Sequence, residues 1–202
     1  NRLITDVANA SRLDAELARQ ETEVLDLGQS LKGLVDVLCD IHDGDGRRIK
    51  FVVVPKANGD ARHLVKVHEG RIGQVATNLI DNAASFTRAG GTVLVRLRAV
   101  GNEVELAVED DGPGIPDDKL ETIFERFYSD RPESDGIVGK NSGLGLSISR
   151  EIVNAHGGRI WAENLRRTPG PDGEAGPPVG ARFVVRLPAA SGRAQAPARA
   201  EA

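Results

Sequence analysis

A short acidic and glycine-rich stretch, VEDDGPGI at residues 108–115, has the residue types of a ligand site. Its pattern predicts the end of a strand followed by a turn, in which Gly112 and Gly114 permit backbone bends that a side chain would hinder. A carboxylate at the end of a buried strand loses hydration unless hydrogen-bond donors replace the water. Asp110 could therefore accept a hydrogen bond from a ligand amino group, although ordinary surface turns use the same residues.

A second candidate site lies on a helix predicted over residues 71–87. One side of this helix is apolar, while Gln74, Asn78, Asn82 and Ser85 form a polar stripe on the other side. The stripe is either a solvated face or a ligand face. In the second case Asn82 supplies a neutral oxygen to a hard cation such as Mg²⁺, which proteins usually share with substrate phosphates.

A third candidate is the glycine-containing start of a helix predicted over residues 143–156, GLGLSISREIVNAH. Ser142 is the expected N-cap, and Gly143 and Gly145 leave the first backbone N–H groups open to a phosphate. The same glycines could simply allow close packing. Neither the Rossmann GxGxxG pattern nor the P-loop GxxxxGK[ST] pattern occurs in the chain.

Strands and turns must bring these three stretches together. Hydrophobic patterning predicts strands at residues 49–54, 63–68, 92–100, 102–110, 159–163 and 181–187. We expect helices at residues 29–38 and 119–128, an extended linker at 24–27, and a lid or disordered segment at 129–142. Phe124 and Phe127 are the expected apolar anchors of the helix at 119–128.

Before these elements, apolar residues recur at steps of three and four from Leu3 to Leu17. Such a stripe is typical of a helix that packs in a dimeric bundle, although it also fits a lone surface helix. The chain begins at Asn1 without Met, so we expect a fragment of a longer protein. The tail after Pro188 is rich in Ala, Arg and Pro and is expected to be disordered.

Composition excludes several classes of function. The 202 residues are 40% hydrophobic and 28% charged, which is typical of one or two soluble domains with a real core. An aromatic content of 3% and the lack of a basic stripe argue against a nucleic-acid partner. The single cysteine, Cys39, cannot form an internal disulfide, and no apolar run approaches the length that spans a bilayer.

The order of five motifs, NLIDNA, DDGPGI, IFERFY, NSGLGL and GAxF, resembles the N, G1, F, G2 and G3 boxes of sensor histidine kinases. These boxes belong to their catalytic and ATP-binding domain, within the superfamily of gyrase, Hsp90 and MutL. The resemblance covers about residues 25–187. The first helix resembles the second helix of the dimerisation and phosphotransfer domain, and the stretches NASRLDAELAR and NSGLGLSISREIV are similar to ChvG-type sensor kinases.

The resemblance implies an α/β two-layer sandwich of the Bergerat ATP-binding type. We expect a mixed, largely antiparallel sheet of about five strands, covered on one face by about three helices and preceded by one amphipathic helix. The implied domains are a helical remnant at 1–22, a catalytic domain at 23–188 with its lid at 129–142, and a disordered tail at 189–202.

The resemblance also implies roles for individual residues. Asp110 corresponds to the acceptor of the adenine amino group, with Gly114 giving the base room and Ile115 beside it. Asn82 corresponds to the Mg²⁺ ligand, and Asn78 to a polar residue that faces the phosphates. The remaining expected contacts of the nucleotide are Ser85, Gly112, Phe124, Arg126, Tyr128, Arg131, Lys140, Ser142, Gly143, Leu144, Gly145, Leu146 and Ala181.

The implied function is histidine protein kinase activity with ATP and Mg²⁺. The γ-phosphate would pass to a histidine outside this chain and then to an aspartate of a response regulator receiver domain. The resemblance implies a homodimer through the helical domain and a cytoplasmic location, with membrane contact only through upstream segments. Two departures are Ser85 and Phe86, where the family has a basic residue and a tyrosine, and the lack of a suitable phosphoacceptor histidine.

Two other functions remain open. An ATP-driven conformational clamp, as in Hsp90 or MutL, would need a glutamate one turn before the metal asparagine to activate water, and this chain has Asn78 there. An interaction module that kept the fold without the ligand would bind no adenine nucleotide.

Overall fold

The structure, a computed structural model, describes residues 21–44, 46–128, 143–166 and 176–190. The expected N-terminal helix from Leu3 to about Leu17, the expected lid at 129–142 and residues 191–202 of the expected tail lie outside these ranges.

A five-stranded mixed sheet forms one layer. Its strands are β2 (Arg48–Val53), β4 (Thr92–Val100), β5 (Glu103–Glu109), β6 (Arg159–Arg166) and β7 (Pro178–Pro188), in the spatial order β2-β4-β5-β7-β6. Only the β2–β4 pair is parallel, and the other three pairs are antiparallel. A second sheet pairs β1 (Glu23–Asp26) with β3 (Leu64–Val67) in antiparallel register.

Three helices form the other layer: α1 (Leu27–Asp43), α2 (Glu69–Phe86) and α3 (Gly145–Ala155). Alternate residues of the central strands, such as Val93, Val95 and Leu97, are fully buried against them. Leu79 and Ile80 of α2 are also fully buried. The predicted fold class, a largely antiparallel sheet with three helices on one face, is confirmed for the described part of the chain.

Side chains and backbone geometry set where the helices begin. Asp26 caps α1 by accepting a hydrogen bond from Gly28 N, and its Oδ1 also accepts one from His63 N. His68 caps α2 by accepting from Arg71 N.

No helix in the described ranges is long and apolar enough to cross a bilayer.

The sheet face away from the helices carries charged residues. Glu105 is 1% exposed and accepts hydrogen bonds from Arg98, Arg182 and Arg186. Burial by itself would raise the pKa of the Glu105 carboxyl, but the hydrogen bonds from Arg186 and Arg98 outweigh it and leave the pKa below its usual value. These side chains cover the far face with paired charges.

Four local predictions were wrong. The expected linker at 24–27 is strand β1, which pairs with β3. The expected helix at 119–128 is replaced by two 3₁₀ turns, Asp117–Lys119 and Thr122–Phe124. Helix α3 begins at Gly145, with Leu144 at the N-cap position and no side-chain cap. The first two residues of the expected disordered tail are ordered, because Ala189 bridges Val65 and Ala190 N donates to Leu64 O.

The buried side of α2 yields a prediction for stability. Leu79→Ala removes a side chain that is fully buried between α2 and the sheet. We expect a loss of about 2–5 kcal/mol in the free energy of unfolding, measured by urea denaturation. Val37→Ala on α1, where the side chain is 56% exposed, is the control and should change stability by only about 0.5 kcal/mol. Equal losses in the two variants would contradict this assignment of the core.

Candidate functional site

The carboxyl group of Asp110 is fixed where β5 ends. The residue is 5% exposed, and its N–H donates to Ala181 O across the β5–β7 pair at 3.0 Å. Its Oδ1 accepts hydrogen bonds from Gly112 N at 2.9 Å and Ala181 N at 3.1 Å, while Oδ2 takes part in neither. Burial raises the pKa of Asp110 above its ordinary value, against the effect of these two N–H donors. One oxygen is therefore held by the backbone, and the other remains for a ligand donor.

Two glycines allow this packing. A Cβ atom on Gly112 would lie 2.9 Å from both Asp110 Oδ1 and Phe86 O, so any side chain would force the turn away from α2. A Cβ on Gly180 would overlap Asp110 O. Gly180 was not among the predicted site residues, although it is the first residue of the GAxF motif.

The turn after Asp110 is held by β6. Gly114 has a φ of 79°, and a Cβ there would lie 2.6 Å from Pro178 Cβ and 2.8 Å from Asn164 Oδ1. A side chain at position 114 would therefore collide with Pro178 and Asn164, and the expectation that Gly114 gives a base room stays a prediction. The next residue, half-buried Ile115, packs against the core, and its backbone is bound by Asn164. No local sequence signal singled out Asn164, which is a polar residue within a strand.

The two asparagines of α2 have different surroundings. Asn78 Nδ2 donates to Gly145 O at 3.0 Å and to Ser149 Oγ at 3.2 Å, so it ties α2 to the start of α3. The half-buried side chain of Asn82 makes no hydrogen bond to any other residue in the described ranges. Ser85 Oγ donates to Asn82 O within the helix at 2.6 Å. Asn82 is therefore the asparagine whose amide can serve a ligand.

Helix α2 brings the first and third candidate stretches to one region. Asn78 contacts Gly145 at the start of α3, and Phe86 O lies beside Gly112 in the turn after Asp110. The rise of an α-helix places positions 78 and 86 about 12 Å apart. Asn82 lies midway between these two contacts. The strand-end carboxylate, the polar face of α2 and the start of α3 thus border the same part of the molecule.

The start of α3 is held by the residues that precede the expected lid. Phe127 N donates to Gly143 O at 3.0 Å, and Gly143 has a φ of 70°. A Cβ on Gly143 would lie 2.7 Å from Tyr128 O, so the two chain segments meet here. Leu144 is buried and Leu146 is half-buried against the core. The first N–H groups of α3 have no partner one turn earlier in the helix, as at any helix start.

Only one of the two expected phenylalanine anchors is buried. Phe124 is 3% exposed and packs edge-to-face on Phe183, with ring centroids 6.4 Å apart. Phe127 is 47% exposed and has a φ of 66°, a value in the left-handed region that non-glycine residues seldom adopt. Phe127 is therefore not an anchor of the core.

Of the basic residues that we expected to contact the phosphates, the structure describes only Arg126. Arg126 forms an ion pair with Glu151 of α3, with Nη2 and Oε1 2.5 Å apart. Arg131, Lys140 and Ser142 lie outside the described residues.

All four histidines are buried or contact other residues of the domain. His63 is fully buried, and His42 Nε2 lies 3.0 Å from Asp81 Oδ1. His156 Nε2 accepts a hydrogen bond from His68 N at 3.0 Å, which links the end of α3 to the cap of α2. That none of the four is a phosphoacceptor stays a prediction.

Comparison with known proteins identifies this combination of fold and site. The family described as histidine kinase-, DNA gyrase B-, and HSP90-like ATPase matches residues 67–191. The chain belongs to this family. It carries the type of catalytic domain found in two-component sensor histidine kinases, as the sequence predicted.

Two curated relatives illustrate the similarity. The sensor protein ChvG of Agrobacterium fabrum is 47% identical over 192 residues, which are 94% of this chain and 31% of that protein. The adaptive-response sensory kinase SasA of Crocosphaera subtropica is 37% identical over 168 residues, 82% of this chain and 41% of that protein. The chain therefore spans about a third of the length of ChvG.

Solved structures agree with the assignment. The mycobacterial sensor histidine kinase MprB superposes with a TM-score of 0.63 at 26% identity, over 83% of this chain and 97% of that one. Full-length ShkA in complex with AMPPNP gives a TM-score of 0.69 at 27% identity, over 96% of this chain and 36% of that one.

The buried carboxyl group yields a prediction for pH dependence. Because the folded pKa of Asp110 is raised, its contribution to stability is complete below the unfolded pKa of about 3.9 and is lost as pH rises through the folded pKa. Asparagine does not ionise, and its carbonyl oxygen can accept from Gly112 N and Ala181 N. We expect Asp110→Asn to be at least as stable as wild type at neutral pH, with any advantage shrinking towards about pH 4.

Urea denaturation at the two pH values measures this difference. Asp118→Asn is the control, because the Asp118 side chain is 75% exposed and should show no such trend. A large loss of stability in Asp110→Asn at neutral pH would contradict the role given to burial.

Proposed function

We propose that this chain binds Mg²⁺-ATP and positions the γ-phosphate for transfer to a histidine outside the chain. In this proposal Oδ2 of Asp110 accepts a hydrogen bond from the adenine amino group, and Gly112, Gly114, Ile115 and Ala181 hold that carboxylate and the base in place. The family membership and the identity to ChvG support a histidine kinase. The AMPPNP bound to ShkA supports an adenine nucleotide as the ligand.

The observation that carries the proposal is the placement of α2 between two ends of one site. The turn after Asp110 contacts α2 at Phe86, and the start of α3 contacts α2 at Asn78. A nucleotide has two ends that match this arrangement. Its base needs a directed hydrogen-bond acceptor, and its phosphates need backbone N–H donors. The Gly143 to Gly145 segment at the start of α3 would provide those donors.

Magnesium fits the donors of this site. The described residues contain no group of three or more His, Cys, Asp or Glu side chains that could hold a metal by themselves. Mg²⁺ does not require one, because it commonly takes one or two protein oxygens together with phosphates and water. Asn82 would supply such an oxygen, and the bound ion would neutralise charge that develops on the phosphates.

Residues around the phosphates have supporting roles in this proposal. Ser85 lies one turn beyond Asn82, and Tyr128 and Phe124 precede the segment at 129–142, which would close over the nucleotide as a lid. Arg131, Lys140 and Ser142 belong to that segment, and Arg126 would reach a phosphate only by leaving Glu151.

The partners follow from the reaction. Phosphoryl transfer depends mainly on positioning and electrostatics, so the acceptor histidine must be brought to this site by another part of the protein. We propose that it lies on an upstream helical domain that forms a homodimer, and that a response regulator receiver domain takes the phosphate onto an aspartate. Residues 1–22 would be the end of that helical domain, residues 23–188 the catalytic domain, and the protein would act in the cytoplasm.

Calorimetric titration of the 202-residue chain with the non-hydrolysable analogue AMP-PNP, with and without Mg²⁺, tests the proposed function. We expect binding that Mg²⁺ strengthens. Asp110→Asn should weaken binding about tenfold or more, because a charge-assisted hydrogen bond is lost. A folded wild-type chain that binds no adenine nucleotide would instead be an interaction module.

The role of Asn82 predicts a specific change in the Mg²⁺ dependence. Asn82→Ala should bind AMP-PNP in the absence of metal as wild type does, but should gain less affinity when Mg²⁺ is added. Asn154→Ala, at an exposed position of α3, is the matched control and should gain as much as wild type. Identical Mg²⁺ titrations of wild type and Asn82→Ala would remove Asn82 as the ligand.

A further inference from the structure

Three residues on neighbouring strands form a row on the helix-covered face of the sheet. Asn164 of β6 pairs with Ala181 of β7. Ala181 O accepts a hydrogen bond from Asp110 N at the end of β5, and Ala181 N donates to Oδ1 of the Asp110 side chain. Directly paired residues of neighbouring strands point their side chains to the same face. The small side chain of Ala181 thus lies between a carboxyl group and a carboxamide.

The carboxamide of Asn164 binds the turn that follows Asp110. Its Oδ1 accepts from Ile115 N at 2.8 Å, and its Nδ2 donates to Ile115 O at 2.6 Å and to Asp117 Oδ1 at 2.9 Å. One side chain therefore satisfies both backbone groups of Ile115 and uses its acceptor and its two donors. A Cβ on Gly114 would lie 2.8 Å from Asn164 Oδ1, so the turn passes close to this carboxamide.

Arg166 completes this contact at the edge of the sheet. Its Nη2 lies 2.5 Å and 2.6 Å from the two carboxylate oxygens of Asp117. Hydrogen bonds from Arg166 and then Asn164 lower the pKa of the exposed Asp117 carboxyl. Solvent screens such an exposed pair, so the hydrogen bonds of the half-buried Asn164 are the stronger restraint.

The turn is held at several points, one of which is Asp111 Oδ2, which accepts a hydrogen bond from Thr92 N at 3.1 Å. Gly112 N is bound to Asp110 Oδ1 at its start, and Asn164 binds Ile115 near its end. Asp110 and Asn164, which belong to the same row of side chains, therefore hold the start and the end of the turn. A movement of Ile115 would be transmitted through Gly112 to the position of the Asp110 carboxylate.

We propose that Asn164 is a positioning residue for the base site, which holds the 111–115 turn so that an exocyclic amino group of the ligand meets Asp110. The inference rests on the proposed function, because it assumes that Asp110 accepts from the base. It goes beyond that function by assigning discrimination between bases to a residue of β6 that acts through the turn.

The test compares two nucleotides that differ only in the amino group. ADP and purine riboside 5′-diphosphate share ribose and phosphates, so the ratio of their Kd values isolates recognition of the amino group. Calorimetry with the 202-residue chain should give a ratio of about ten or more for wild type, the usual value of one charge-assisted hydrogen bond. Asp110→Asn should bring the ratio close to one.

For Asn164→Ala we expect weaker ADP binding and a ratio below about three, while the affinity for purine riboside diphosphate changes little. Asn154→Ala is the matched control and should keep the wild-type ratio. Asn164→Asp keeps the acceptor for Ile115 N but loses both donors, so its ratio should be lower than that of wild type. Thermal melting of each variant without nucleotide shows whether the variant is folded. If Asn164→Ala is unfolded, the Kd ratio of Asn164→Asp tests the positioning role instead.

Different failures have different meanings. A wild-type ratio preserved in the folded Asn164 variants, or equal weakening of both nucleotides, would overturn the positioning role and leave the proposed function intact. A wild-type chain that binds neither nucleotide would overturn both.

Discussion

The site depends on keeping one carboxylate buried at the end of a central strand. Asp110 loses most of its hydration there, and two backbone N–H groups replace it, from Ala181 on the neighbouring strand and Gly112 in the following turn. This arrangement requires β7 to pair with β5 in the observed register, and it requires no side chain at Gly112 or Gly180. The sheet therefore contributes directly to the site, because its register places the Ala181 N–H that binds one oxygen of Asp110 and leaves the other.

Helix α2 connects this carboxylate to the region that would hold phosphates. Its buried side fixes it to the sheet, while Phe86 O at its C-terminal end lies beside the turn after Asp110 and the Asn78 side chain contacts α3. The two asparagines of α2 differ in their hydrogen-bond partners. Asn78 is engaged in packing α3, and the amide of Asn82, one turn later, has no hydrogen-bond partner in the part of the chain that the structure describes. The packing role of Asn78 also argues against a glutamate-dependent clamp ATPase, because position 78 carries an amide that stabilises the fold and not a glutamate that could activate water.

The architecture was accessible from the sequence because its main elements carry strong local patterns. The alternation of β4 and β5 and the two-sided composition of α2 predicted their positions to within a few residues. The errors fall on short segments. β1 has four residues and becomes a strand only by pairing with β3. The expected helix around Phe124 is too short to be stable by itself, and contact with Phe183 fixes that residue in a turn instead.

The sequence by itself determined which residues could do the chemistry: a strand-end Asp110, a polar face with Asn82, and glycines before a helix. Residue type and spacing carry that information, because hydrogen-bonding capacity and helical periodicity are local properties. Tertiary structure alone decided that Asn78 packs against α3, that Gly180 lies against Asp110, and that Asn164 binds the turn after it. These contacts join positions tens of residues apart. They exist only once the strands have paired, so no local pattern could encode them.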